Sequence, residues 1–362
     1  MFKKLKTFAG GKAGKNTILT YGMVIAAYII MEILMSAGLT SSLINGMLVP
    51  LCVYAILAVS LYLTVGILGE LSLGHAGFMC IGAFSGAFFS KCMQAVIPVA
   101  GVRFTLAILV GAVCAGIFGI LIGIPVLRLK GDYLAIVTLA FGEIIKNLIN
   151  IVYVGLDENG FHFSTKNTME LNLTENGQVI IQGAQGITGT PNDSNFTVGI
   201  ILLLITLFIV LNLIHSRAGR AIMAIRDNTI AAESVGIPIT RYKLMAFSIS
   251  AALAGVAGVL YAHNISTLTA LPKNFGYNMS IMILVFVVLG GIGNIRGSII
   301  ASVLLTLLPE LLRGLKDYRM LIYAVVLIGM MLFNWAPACI QWREKMAFKL
   351  KNMKKKEKKE EA

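Results

Sequence analysis

Residues 216–243 read Ser-Arg-Ala-Gly-Arg-Ala-Ile-Met-Ala-Ile-Arg-Asp-Asn-Thr-Ile-Ala-Ala-Glu-Ser-Val-Gly-Ile-Pro-Ile-Thr-Arg-Tyr-Lys, a polar island between two strongly apolar segments. Arg217, Arg220, Arg226, Arg241 and Lys243 outnumber Asp227 and Glu233. A basic excess between membrane spans places a loop on the cytoplasmic side. Ile222, Ile225, Ile230 and Val235 recur roughly at helical spacing, and Gly236-Ile237-Pro238 stops the run. The spacing predicts a short amphipathic helix at the cytoplasmic surface, suited to docking a soluble partner. An ordinary solvated loop fits the same residues equally well.

The flanks of the island set the class. Hydrophobic residues make up 57% of the 362, charged residues only 13%, and the mean hydropathy is +0.84. Soluble domains carry about 25% charged residues, so this composition belongs in a bilayer. The net charge of +13 sits mostly at the ends, in Lys3, Lys4, Lys6, Lys12 and Lys15 and in a Lys-rich tail from Arg343 to Lys359. No nucleic-acid-binding motif accompanies them, and no nucleic-acid partner is expected. Basic ends on a membrane protein act as topology signals and attract anionic lipid. Cys52, Cys80, Cys92, Cys114 and Cys339 are scattered without metal or redox spacing, so neither a disulfide framework nor a metal site is expected. The first apolar segment lacks a small-residue cleavage site and reads as a retained span.

Apolar segments near the ~20 residues needed for a span recur at 18–36, 43–69, 74–90, 104–127, 133–154, 196–215, 244–262, 280–296, 298–312 and 319–335. The expected fold is therefore all-α, a polytopic integral membrane protein with eight to ten transmembrane helices. The third and ninth segments are candidates for broken or re-entrant helices. With the basic N-terminus (1–17) inside, the 216–243 loop and the basic tail (336–362) fall inside around a transmembrane domain at 18–335. The loop 155–195 falls outside, with Asp157, Glu158, Glu170, Glu175 and Asp193 against Lys166. That acidic exterior agrees with the positive-inside rule, while Arg313, Lys316 and Arg319 run against it. The outer loop is too short for a core of its own. Its Gly-rich end at 183–191 fits either packing against a pathway mouth or a plain connector. Gly111, Ala115, Gly119 and Gly123 recur four apart, as do Ala251 with Gly255 and Ala254 with Gly258. That spacing predicts close helix packing.

Two glycine-rich breaks interrupt the apolar pattern, around Ser72, Gly74, His75 and Gly77 and around Gly291 and Gly293. Irregular backbone at membrane depth survives only where it is buried or lines a cavity, so each is a candidate pathway or gate element, or else a tight turn between spans. His75 fits a structural hydrogen-bonder better than a proton relay. Glu143 and Lys146, three apart on one helical face, avoid a cost of ~2.5–3.5 kcal/mol at the bilayer centre by pairing or by facing a cavity. Glu32 lies towards the outer end of the first span. Gly10 to Asn16 resembles a phosphate loop, but its first glycine is misplaced and Asn16 stands where Ser or Thr is required. The run Gly291 to Arg296 lacks the last glycine and the strand of a dinucleotide fingerprint. No nucleophile elbow, zinc motif or paired-carboxylate site is present, so no catalytic residue, cofactor or metal is expected. Residues alone leave a proton-coupled secondary transporter using Glu143, Lys146 and His75 as a rival, with an integral membrane enzyme behind it.

Four motifs in order carry a resemblance. Gly69-Glu70-Leu71-Ser72-Leu73-Gly74-His75-Ala76-Gly77-Phe78, Gly131-Asp132-Tyr133 through Phe141-Gly142-Glu143-Ile144, Arg217-Ala218-Gly219-Arg220-Ala221 through Arg226-Asp227-Asn228 to Gly236, and Leu289-Gly290-Gly291-Ile292-Gly293-Asn294-Ile295-Arg296-Gly297 resemble the signatures of branched-chain amino acid ABC transporter permeases of the LivM type, over roughly residues 45–335. The resemblance implies the ABC importer permease fold, in a bacterial or archaeal plasma (inner) membrane with both termini cytoplasmic. It also implies a second, LivH-type permease, two ATP-binding subunits, an extracytoplasmic substrate-binding protein and a small hydrophobic amino acid as cargo. Relatives that carry urea or other small amides keep the substrate open. Residues 219–236 would form the coupling helix, with Arg220, Arg226, Asp227, Glu233 and Gly236 at the ATPase contact. The Glu-Ala-Ala loop usual in ABC importers stands here only as Ala231-Ala232-Glu233 followed by Gly236.

Overall fold

The computed structural model describes residues 12–335, apart from positions 40, 95, 130, 159, 175–176, 313 and 315–317. The terminal segments 1–11 and 336–362, with Cys339, and also Glu175, Arg313 and Lys316, lie outside the described residues. The chain divides into two compact units, residues 1–303 and 304–362. In the first, α1 (Lys12–Ser36) leads to α2 (Ser42–Tyr62), which continues as a π-helical turn over Leu63–Leu68. After a non-helical joint come α3 (His75–Cys92), α4 (Ala100–Val126) and α5 (Asp132–Ile151). The helix α6 (Phe196–His215) precedes α7 (Arg217–Asp227), α8 (Thr229–Ser234) and α9 (Ile239–Ala262). The helices α10 (Pro272–Phe275), α11 (Tyr277–Gly290) and α12 (Ile295–Leu311) close the unit. The second unit holds the end of α12 and α13 (Arg319–Trp335). On α13, Leu321, Val325, Ile328 and Leu332 form one exposed apolar stripe.

Among the described residues, seven helical stretches are long and apolar enough to cross a membrane: Thr17–Ser36, Ser42–Leu68, Ala100–Val126, Asp132–Ile151, Phe196–His215, Ile239–Ala262 and Pro272–Gly290. The last begins earlier than the expected 280–296, and Gly290-Gly291 ends it. The other expected segments, 74–90, 298–312 and 319–335, are the helices α3, α12 and α13 of 18, 17 and 17 residues.

The core lies where α2, α3, α4 and α9 meet. From Leu48 to Leu68, α2 and its π turn are almost wholly buried, so this stretch touches protein on every side. The stripe Gly111, Ala115, Gly119 and Gly123 of α4 is buried against Ala251, Gly255 and Val259 of α9. A Cβ on Gly258 of α9 would stand 2.1 Å from the Met79 carbonyl oxygen of α3. Backbone meets backbone there, and only glycine allows it. Round this core, α1, α4, α5 and α6 turn apolar side chains outwards, among them Ile29, Val113, Ile144 and Phe208. That surface is the reverse of a soluble protein's and matches lipid.

The helical bundle also carries a few short strands. Residues 153–188 contain β1 (Tyr153–Asp157), β2 (Gly160–Ser164), β3 (Gln178–Gln182) and β4 (Ile187–Thr188), and β5 (Thr267–Leu268) follows α9. The antiparallel order β2-β1-β3 forms one sheet, and β4 pairs with β5. The segment is too small to bury its own core, and it borrows one. Phe161 packs on Phe88 of α3 at a 5.8 Å ring separation, Lys91 donates to the Thr188 carbonyl at 2.7 Å, and Arg103 of α4 pairs with Asp193 at 3.1 Å. The 155–195 loop is thus a folded cap on one end of the bundle, while α7 and α8 lie at the other end of α6.

Candidate functional site

The joint between α2 and α3 is built from polar groups that the sequence alone does not pair. The π turn ends at Gly69 (φ 79°), and the chain runs without helix to His75. The Leu73 N–H donates to Thr138 Oγ1 of α5 at 3.0 Å, and the Ala76 N–H donates to Ser280 Oγ of α11 at 3.1 Å. Side chains from two other helices thereby satisfy backbone groups freed by the break, as membrane-depth irregularity requires. A Cβ on Gly74 would lie 2.5 Å from the Thr138 carbonyl oxygen, and one on Gly77 would lie 2.7 Å from Gly142 Cα. Both glycines are needed for α3 to sit on α5. The Ser60 hydroxyl gives its single hydrogen to the Leu57 carbonyl at 2.9 Å, so it accepts from His75 Nε2–H at 2.6 Å. Ser72 is buried and its Oγ finds no partner among the described residues. Ser72, Gly74, His75 and Gly77 therefore come together as a closed, packed joint.

Gly291 and Gly293 occupy a different place. They form the turn between α11 and α12, both at positive φ (94° and 95°). A Cβ on Gly297 would stand 1.8 Å from the Gly290 carbonyl oxygen. The helices α11 and α12 therefore approach closely on either side of this turn. Glu143 and Lys146 do pair across one turn of α5. The other oxygen of Glu143 accepts the Tyr277 N–H at 2.8 Å, so it caps α11 as well.

The polar island folds as two helices rather than the single helix expected over 219–236. Asn228 adopts an extended conformation (φ −158°, ψ 106°) and its Oδ1 accepts from the Ala231 N–H at 3.0 Å, starting α8. Ser216 caps α7 in the same way through the Gly219 N–H. The kink splits the apolar set. Ile222 and Ile225 are buried in the bundle, whereas Ile230 and Val235 are 80% and 77% exposed.

The charges divide too. Arg220, Asp227 and Glu233 are exposed, and Gly236 ends the element at φ 83°. Arg226, itself exposed, also reaches the π turn: Nη1 donates to the Gly66 carbonyl at 3.0 Å, while Nε and Nη2 hold Asp227 Oδ1 at 3.1 and 3.0 Å. Its stem lies against Gly69, where a Cβ would stand 2.6 Å from Arg226 Cγ. Beside it, Lys243 of α9 pairs with Glu70. The joint and the island are thus one structure, clamped at Gly66 and Glu70. Sequence reading placed neither Glu70 nor Lys243 in a site. Their opposite charges stand 173 residues apart, and no local periodicity links such positions.

Residues 43–334 match the family described as "Branched-chain amino acid transport system / permease component". The chain belongs to this family. It is 36% identical over 309 residues to "High-affinity branched-chain amino acid transport system permease protein LivM" of Escherichia coli (strain K12), which covers 83% of this chain and 70% of that protein. The LivM protein of Salmonella typhimurium (strain LT2) is 35% identical over the same coverage. The LivH protein of Salmonella typhimurium is 24% identical over 254 residues, 70% of this chain and 79% of that protein. No solved structure matches the chain. Family membership makes the protein a multi-pass membrane permease component, and its seven apolar helices accord with that. The matched region spans all four motifs and stops short of the basic tail.

Proposed function

We propose that this permease component is one of two membrane subunits of an ATP-driven importer of branched-chain amino acids in a bacterial or archaeal plasma (inner) membrane, with both termini cytoplasmic. A LivH-type permease completes the pathway, two ATP-binding subunits dock on the cytoplasmic side, and a substrate-binding protein delivers cargo from outside. The chain itself performs no covalent chemistry; it alternates access. The observation that carries this reading is α8, whose Ile230 and Val235 stand exposed on a polar element at the end opposite the folded cap. Apolar side chains so placed have a partner to find, and a groove on an ATPase subunit fits them. Arg220, Asp227, Glu233 and Gly236 surround that contact. Arg226 acts one step behind it, relaying movement of α7 to the π turn and thence to Ser72, Gly74, His75 and Gly77, with Glu143 at the pathway and the Gly291/Gly293 turn as a further gate element.

The test is to tag the chain, extract it gently from its native membrane and identify stoichiometric partners by mass spectrometry, with leucine uptake measured in parallel. Two ATPase subunits and a second permease, with uptake lost on ATP depletion, are the expected result. A solitary chain or homodimer whose uptake follows the proton gradient overturns the reading. Uptake of urea in place of leucine by the same complex overturns the substrate alone.

A further inference from the structure

The outer faces of the spans are mostly apolar, with polar exceptions near their ends such as Glu32 of α1 and Asn212 of α6. At mid-length, α4 exposes Leu109, Val113, Ile117 and Ile120, and α6 exposes Ile201, Ile205 and Phe208, all of them apolar. The edge shared by α5 and α11 is mixed: beside the exposed Ile136, Ile144 and Leu148 of α5 stand polar groups. Glu143 is half-buried, Asn147 one turn on is exposed, and Tyr277 and Asn278 at the start of α11 are exposed beside them. Glu143 follows Asp132 by eleven positions, a rise of ~16 Å, while a hydrocarbon core is ~30 Å thick. The 2.8 Å bond from the Tyr277 N–H to Glu143 brings the start of α11 to the same depth. A carboxylate at that depth turns to protein or to water rather than to lipid, and Asn147, four residues short of the end of α5, and Asn278, in the first turn of α11, are the exposed amides nearest to it.

We propose that the α5–α11 edge lines the water-filled translocation pathway, and that the Glu143–Lys146 pair is a station for a zwitterionic amino acid. This rests on the importer reading above. Lys146 is 7% exposed and Glu143 26%, so the carboxylate is the accessible member of the pair, and Asn147 one turn on is exposed as well. In this structure one Glu143 oxygen holds the Lys146 ammonium, the kind of partner a cargo ammonium can replace, while the other accepts the Tyr277 N–H. A passing amino acid exchanges into the pair. Its ammonium takes the place of Lys146 at Glu143, and the Lys146 ammonium turns to the cargo carboxylate. Charge stays matched throughout, which suits a low-dielectric passage better than stripping either ion bare. Asn147 and Asn278 supply hydrogen bonds around the exchange.

The experiment replaces the five native cysteines and introduces Asn147→Cys, Asn278→Cys and the lipid-facing controls Val113→Cys and Ile205→Cys, one at a time, in the full complex in native membranes. A charged methanethiosulfonate reagent is then applied with and without leucine and the binding protein. The expected result is labelling at 147 and 278 at least tenfold faster than at 113 and 205, slowed severalfold by leucine. Labelling no faster than at the controls overturns the water-lined edge. Fast labelling that urea or a neutral amide slows and leucine does not overturns the zwitterion station. Water access is read whether or not ATP drives uptake, so failure of the importer reading leaves the labelling result distinct. A second variant, Glu143→Gln with Lys146→Met, removes the charges and keeps the cap and the volume. Leucine uptake is expected to fall at least tenfold with the assembled complex present, and near-normal uptake in that variant overturns the station.

Discussion

At the scale of single residues, the glycines with no room for a Cβ are the tightest constraint in the molecule. Gly258 faces the Met79 carbonyl oxygen at 2.1 Å, and that neighbour is backbone, not the yielding tip of a side chain. Gly258→Leu must push α3 and α9 apart. We expect a loss of ~3 kcal/mol, the upper end of overpacking costs, seen as early thermal aggregation of the detergent-solubilised permease. Gly101→Ala, at a position with nothing within 4 Å of the added Cβ, should leave the same melting curve unchanged. The i, i+4 spacing of small residues already announces such contacts in the sequence. Which glycine meets backbone and which meets open space is absent from it, because the register of α9 on α3 and α4 is a three-dimensional quantity.

Among elements, α7 and α8 make separable predictions. Ile230→Asp with Val235→Asp puts charge where an apolar contact is proposed and touches nothing inside the bundle. The ATPase subunits should no longer copurify, while the melting curve of the isolated permease stays where it was. Arg226→Ala acts at the other end of the relay and leaves the Gly66 carbonyl without its donor. It should preserve copurification and reduce leucine uptake roughly tenfold, with ATP hydrolysis continuing uncoupled. Retained uptake in Arg226→Ala at full expression shows that the π turn does not sense α7. Two departures from sequence reasoning belong to this scale. Asn228 was legible as a helix-capping residue type, yet the apolar spacing ran through it, so one helix was expected where the backbone makes two. The strands of the cap were also legible: Tyr153 to Ser164 alternates around Glu158-Asn159-Gly160, an Asn-Gly turn signal. Hydropathy claimed residues up to 154 for the preceding span, and the alternation was cut in half.

The whole molecule depends on ties between its two ends and its core. Arg103, at the start of α4, and Asp193, at the end of the cap, form an ion pair with side chains 7% and 16% exposed. Breaking one side leaves a buried charge unmatched, typically at a cost of 3–5 kcal/mol. Arg103→Met should therefore destabilise the permease markedly in a detergent melt. Arg103→Met with Asp193→Leu should recover most of the loss, because no lone charge remains. A double variant as unstable as the single one would mean that the guanidinium serves further partners.

Composition and hydropathy by themselves determined that the chain is a polytopic membrane protein, because a bilayer tolerates only long apolar helices or closed barrels and the spans are written residue by residue. The four motifs determined the family, and small-residue spacing determined that the faces carrying it pack closely against other helices. Tertiary structure alone decided what the polar residues do. It folded His75 into a hydrogen bond with Ser60, tied Arg226 to the Gly66 carbonyl, joined Glu70 to Lys243, and set Glu143 against the first turn of α11. Those partners lie 15, 160, 173 and 134 residues apart. Periodicity reports only neighbours along one helix, and burial of polar groups in a bilayer demands partners without naming them.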